Sequence, residues 1–148
     1  MKNVALTGHR ILGRDFSPGL LRMKLAELME AGADTFYCGM ALGFDLLCGE
    51  ILCEMKEGSG IRLIACIPCA DQNATFSRAA REQYERVFEN AGEHIILHDR
   101  YTSGCMFERN RYMVDHSDVV LAYLRTQKGG TFYTVNYAKK TGKPVIII

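Results

Sequence analysis

Three segments of the chain repeat one order: an apolar run, a glycine-marked loop and a helix-like stretch. The first is Val4-Ala5-Leu6-Thr7-Gly8-His9-Arg10. The second is Phe36-Tyr37-Cys38-Gly39-Met40-Ala41-Leu42-Gly43-Phe44-Asp45. The third is Val119-Val120-Leu121-Ala122-Tyr123 with Gly129-Gly130-Thr131 beyond it. A buried strand that breaks at glycine and feeds a helix offers unpaired backbone N–H groups and the positive end of the helix dipole to an anion. Three such loops in one chain predict that their tips converge on a phosphate-bearing ligand.

The rest of the pattern is of the same kind. Short strands are predicted over 3–7, 35–38, 62–67, 94–98, 118–123 and 144–148. The first, third, fifth and sixth are continuous Val/Ile/Leu/Ala-type runs, the signature of strands covered on both faces. Helix-like stretches lie between them, over 19–31, 44–56, 74–90, 107–116 and 131–141. Leu20, Leu21, Leu25 and Leu28 mark the first, with Ser17 and Pro18 as its start. Strand–helix alternation predicts an α/β fold: a Rossmann-like three-layer sandwich around a mostly parallel sheet, because parallel strands need crossover connections. Val4–Leu6, Leu63–Cys66 and Val119–Ala122 are expected as interior strands. No linker or repeat interrupts the pattern, so 1–148 reads as one nucleotide-binding domain of ordinary size.

Charge and composition narrow the function classes. The formal net charge is +1, which gives no global attraction to nucleic acid or to an anionic membrane, so nucleic acid is disfavoured as a partner. No apolar stretch is long enough to span a bilayer, and Met1-Lys2-Asn3 leads straight into a strand without a signal-like segment. A cytoplasmic location is therefore expected. Six cysteines without an export signal read as reduced thiols, and Cys66-Ile67-Pro68-Cys69 ends a strand with no second ligand pair for zinc. No metal and no cofactor are called for. Homo-oligomerisation remains open.

In parallel sheets ligands bind beyond the carboxyl ends of the strands, which places all three loops on one edge. Arg10 is either a phosphate partner or a solvated loop charge. His9 either donates to a phosphate, titrates near neutrality, or serves as a turn residue. Asp45 either favours its helix N-terminus, accepts from ribose hydroxyls, or anchors Arg10. Thr131 and Thr134 are first-turn residues whose hydroxyls either cap the helix or reach a phosphate or sugar. Gly8, Gly39, Gly43, Gly129 and Gly130 are expected to supply backbone contacts, and Gln72 and Tyr101 to touch base or sugar. The dinucleotide fingerprint and the Walker A loop are both absent.

Thr7-Gly8-His9-Arg10, Gly39-Met40-Ala41-Leu42-Gly43-Phe44-Asp45, the segment from Arg109-Asn110-Arg111 to His116-Ser117-Asp118, and Gly129-Gly130-Thr131 occur in that order. Together they resemble the SLOG superfamily, which includes the Lonely Guy phosphoribohydrolases and the DNA-processing protein A core. The resemblance covers essentially the whole chain. It implies a Rossmann-like fold and a pocket for a nucleotide or a nucleotide-derived ligand such as ADP-ribose. It also implies that Arg109, with Asn110 beside it, takes the place of an arginine that helps cleave an N-glycosidic bond. Read without the resemblance, Arg109 is a helix-surface residue paired with Glu108 or Asp115. Lonely Guy enzymes place a catalytic glutamate where this chain has Thr134, and a hydroxyl does not replace a carboxylate in that chemistry. The expectation is a binding protein or sensor for a nucleotide-derived ligand. The alternatives are a nucleoside-monophosphate N-glycoside hydrolase and a single-stranded-DNA-handling module.

Overall fold

The computed structural model describes residues 2–148. The chain forms β1 (Asn3–Gly8), α1 (Pro18–Glu30), β2 (Thr35–Cys38), α2 (Phe44–Lys56), β3 (Arg62–Ile67), α3 (Arg78–Ala91), β4 (Gly92–Ile96), α4 (Cys105–Asp115), β5 (Val119–Tyr123), α5 (Gly130–Lys140) and β6 (Val145–Ile147). All strands pair parallel, in the order β4-β3-β2-β1-β5-β6. The strands expected inside the sheet, β1, β3 and β5, are inside it.

Alternation along each strand divides the core in two. Val4, Leu6, Phe36, Cys38, Leu63, Ala65, Val119 and Leu121 face α1, α2 and α3, whose Leu21, Leu25, Phe44, Leu52 and Val87 cover them. Ala5, Tyr37, Ile64, Cys66, Val120 and Ala122 point the other way, onto Met113 and Val114 of α4 and Val135 and Ala138 of α5. Both faces are therefore buried under helices, which gives the three-layer α/β sandwich.

The sequence expectations depart from this structure in four places. The last strand, apolar throughout, is the sheet edge: Val145 and Ile146 are half-buried and Ile147 is exposed. β4 begins earlier than expected, because pairing of Leu63 with Gly92 sets its register. α3 starts at Arg78 rather than residue 74, since Ser77 caps it by accepting from the Ala80 N–H at 3.2 Å. Leu20 is exposed, while Leu21, Leu25 and Leu28 carry the buried stripe of α1.

The parallel order reverses direction between β1 and β5. Chain leaving β1 turns toward α1 and β2, and chain leaving β5 turns toward α5 and β6. A crevice opens at such a switch point at the carboxyl ends of the strands.

Candidate functional site

A cleft of about 270 Å³ occupies that crevice. β1 and its loop contribute Thr7, Gly8, His9 and Arg10. The start of α2 contributes Ala41 and Asp45. α4 contributes Met106, Arg109 and Asn110, and α5 contributes Gly130 and Thr131.

Close packing explains why the first two loops need glycine. A Cβ at Gly8 would lie 2.3 Å from the ring of Phe44, the first residue of α2. A Cβ at Gly39 would lie 2.8 Å from both the Arg109 guanidinium and an Asp45 carboxylate oxygen. Gly43, with φ of 79°, sits against the Arg10 carbonyl, and the Phe44 N–H donates to the His9 carbonyl at 3.1 Å. These glycines let β1, α2 and α4 approach one another; Gly39 and Gly43 stand behind the cleft wall.

The starts of α2 and α5 differ as anion sites. At α2, Phe44 donates to His9 and Leu46 donates to the Ala41 carbonyl at 3.2 Å, while the Asp45 carboxylate accepts from the Ala41 N–H at 3.3 Å. That end is already occupied by protein groups, one of them negative. At α5, Gly129 is the N-cap residue, with φ of 93° and no side-chain cap. The N–H groups of Gly130, Thr131 and Phe132 have no partner among the described residues. Gly130 and Thr131 face the cleft. Free donors at a helix start favour an anion, and of these two starts α5 offers three.

Arg109 dominates the opposite wall. It is only 4% exposed. Its Nη1 donates to the Gly39 carbonyl and, at 3.3 Å, to the Cys66 carbonyl; its Nε donates to Asn110 Oδ1 at 2.9 Å. Nη2 meets only the Met106 sulfur, at 3.9 Å. No carboxylate pairs with it within 4.0 Å among the described residues. The pairing with Glu108 or Asp115 expected of a surface arginine does not form: Glu108 binds His98 at 2.5 Å and Asp115 accepts from Tyr137 at 2.7 Å. Backbone carbonyls and Asn110 hold the guanidinium in place, and the Asp45 carboxylate acts on it without forming an ion pair.

Asp45 is the carboxylate of the cleft and is buried. Burial pushes its pKa up to about 6, against the opposing pull of Arg109. It makes no ion pair with Arg10, which is exposed. A carboxyl raised from 3.8 to about 6 contributes stability that is complete below its unfolded pKa and lost as pH rises through about 6, a change of about 3 kcal/mol. Asp45→Asn is therefore expected to flatten the fall in stability across that window and to be more stable than the parent above it. Urea unfolding from about pH 4 to about pH 8 checks this; an unchanged pH dependence rejects it.

His9 ties the two loops of the switch point together. Its Nε2 accepts from the Arg125 N–H at 2.7 Å, so the neutral ring carries its proton on Nδ1. Burial and the nearby Arg125 charge lower its pKa.

Not all expected site residues meet in the cleft. Gln72 lies beneath it, buried, donating from Nε2 to the Gly39 carbonyl at 3.0 Å, with Oε1 unpartnered. Thr134 is fully buried and its hydroxyl donates to the Gly130 carbonyl at 2.8 Å. Tyr101 is 63% exposed and lies outside the cleft lining, as does Gly129. Thr7, Ala41 and Met106 line the cleft although nothing in their local pattern singles them out, except that Thr7 directly precedes the first loop glycine.

The fold agrees with relationships across known proteins. The model of the YspA SLOG family (YpsA) matches residues 18–145. The chain belongs to this family. Relatives of the family member described here include UPF0398 proteins of Bacillus thuringiensis (strain Al Hakam) and Bacillus cereus (strain AH187). Each is 30% identical over 158 residues, covering 97% of this chain and 85% of the relative. Its fold is similar to DNA processing protein A from Helicobacter pylori, solved for its single-stranded DNA binding mode. That match has a TM-score of 0.72 and 25% identity, over 99% of this chain and 64% of the other. DNA processing protein A from Streptococcus pneumoniae shares the fold at a TM-score of 0.72 and 18% identity, over 99% of this chain and 50% of the other. The chain thus spans less than two thirds of these two proteins. The Helicobacter protein binds single-stranded DNA, which corrects the expectation that disfavours nucleic acid as a partner. Net charge close to zero says nothing about a local patch, and local patches bind strands.

Among the described residues no helix is long and apolar enough to cross a membrane, and no three His, Cys, Asp or Glu side chains are grouped to hold a metal. Burial pushes the thiols of Cys66 and Cys69 up to about 12.

Proposed function

We propose that the cleft binds the phosphate of a nucleotide or nucleotide derivative such as ADP-ribose, and that the protein is a ligand-binding module or sensor. The observation that carries this reading is Arg109, a buried guanidinium without a carboxylate partner, across one cleft from the free N–H groups of α5. A phosphate would satisfy both at once, with a charge-assisted bond from Arg109 and backbone bonds from Gly130 and Thr131. Thr131, whose hydroxyl makes no hydrogen bond among the described residues, would add a donor. Asp45 would accept from a ribose hydroxyl.

Binding is favoured over N-glycoside hydrolysis because the Thr134 hydroxyl is turned into its own helix. Gly130→Val tests the assignment. A Cβ at Gly130 meets only the Asn110 Nδ2, at 3.9 Å, so the fold has room while the anion approach is blocked. Calorimetric titration with AMP and ADP-ribose is expected to show binding by the parent and a loss of roughly 100-fold or more in the variant. An unchanged affinity rejects the α5 site. Release of free base from AMP, followed by chromatography, would instead establish the hydrolase.

A second reading is a single strand of DNA presenting its phosphate to the same cleft. It is supported by the likeness to the Helicobacter protein over 99% of this chain. Salt-dependent retention on single-stranded DNA tests it.

A further inference from the structure

A second, open groove of about 790 Å³ runs along the outer face of α5. It begins at Gly129, the residue before the cleft-lining Gly130, and passes Tyr133, Asn136, Tyr137, Lys139 and Lys140. The groove and the cleft therefore meet at the start of α5.

Tyr133 and Tyr137 line it, and Phe107 of α4 packs beside Tyr133. Phe107 and Tyr133 have ring centroids 4.5 Å apart, and Tyr133 and Tyr137 are 6.5 Å apart with planes 9° from parallel. Side chains of α4 fix the two tyrosines. Arg111 donates to the Tyr133 hydroxyl at 2.8 Å, and the Tyr137 hydroxyl donates to Asp115 at 2.7 Å. Phe107 is 42% exposed. Beside the rings stand Lys139 and Lys140. Neither is ion-paired among the described residues.

We propose that this groove is a stacking platform for a single-stranded nucleic acid, continuous with the phosphate site at α5. The proposal rests on the second reading above and adds where the strand runs. Single strands bind where aromatic faces receive bases and cations follow the backbone. Rings held by hydroxyl bonds lose little freedom on binding, and unpaired lysines have no internal partner to give up. A second copy of the chain suits the groove less well. Lysine is depleted in such interfaces, and a two-fold contact would bring Lys139 and Lys140 toward their own counterparts.

The test compares the parent, Tyr137→Ala, and Lys139→Gln combined with Lys140→Gln. Fluorescence anisotropy of labelled oligodeoxythymidylate is measured across salt concentrations, and AMP binding is measured by calorimetry. Tyr137→Ala is expected to weaken oligonucleotide binding roughly 5- to 100-fold. The lysine pair is expected to reduce the salt slope by about 0.7 per residue. Neither change should alter AMP binding. The lysine variant alters only exposed side chains, so it reports even where Tyr137→Ala fails to fold. Parent-like oligonucleotide binding by the lysine variant overturns the proposal. So does a parent that binds AMP but no oligonucleotide. So does a parental dimer, seen by sedimentation, that Tyr137→Ala dissociates while strand binding persists. A parent that binds oligonucleotide through the groove but not AMP upholds this inference and rejects the small-nucleotide reading. A parent that binds neither rejects both.

Discussion

Gly43→Ala is expected to destabilise the protein by on the order of 3 kcal/mol or more. Two effects add. The backbone at Gly43 has φ of 79° and ψ of −116°, a combination closed to residues that carry a Cβ. The added Cβ would also lie 2.1 Å from the Arg10 carbonyl oxygen and 2.8 Å from the Arg10 Cα. Both obstacles are backbone atoms, so no side-chain rotation relieves them. The loop after β1 must move away from α2, which breaks the Phe44 N–H bond to His9 and unseats Phe44 from Gly8. Phe44 is fully buried and stands edge-on to Phe16 and Tyr123, so the disturbance reaches the larger of the two cores. Gly58→Ala is the control. Gly58 has a similar φ of 74° but nothing within 4 Å of the added Cβ, so it should cost only the backbone term, about 1–2 kcal/mol. Equal midpoints for the two variants in denaturant would show that the contact with Arg10 contributes nothing.

The contrast between these glycines indicates what the sequence could reveal. The loops after β1, β2 and β5 are legible as loops because an apolar run ends at glycine in each. The task each glycine performs is not local. Gly8 is needed for Phe44 and Gly39 for Arg109, a residue 70 positions away. Only the strand order decides that the β1 and β5 loops face each other, and no local pattern encodes strand order. For this reason three equivalent anion loops are expected from sequence, whereas the structure leaves free donors at α5 and fills α2 with protein groups. β3 and β5 are legible as central strands from their apolar runs. β2 gives a weaker signal because it opens on Thr35, which is nonetheless buried beside Phe36. β6 reads like an interior strand and is an edge, since hydrophobicity reports packing and not the number of neighbours. Thr134 is a residue whose spacing suggests chemistry and whose hydroxyl serves its own helix. Arg109 is the reverse: the spacing suits a surface ion pair, and the fold buries the side chain beneath the cleft.

Arg109→Ala is expected to weaken nucleotide binding roughly 10- to 100-fold, the loss of one charge-assisted hydrogen bond worth about 1.5–3 kcal/mol. The effect on folding should be much smaller below about pH 6, where Asp45 is protonated. The Gly39 carbonyl keeps its bond from Gln72, and the buried cation there has no ionised carboxylate to interact with. At such pH the variant should therefore separate binding from stability: calorimetry shows the loss while the denaturant midpoint moves little. A second readout identifies the charge itself. Arg109 opposes the upward shift of Asp45, so its removal should raise the Asp45 pKa further. The pH dependence of stability that Asp45 imposes should then extend above pH 6. Arg109→Lys restores the charge but not the planar fork that reaches Gly39, Cys66 and Asn110 together. It should return the Asp45 titration toward its parental position while recovering only part of the nucleotide affinity. Full recovery of affinity by lysine would mean that a point charge suffices. No recovery of the titration would mean that Arg109 acts on Asp45 through packing.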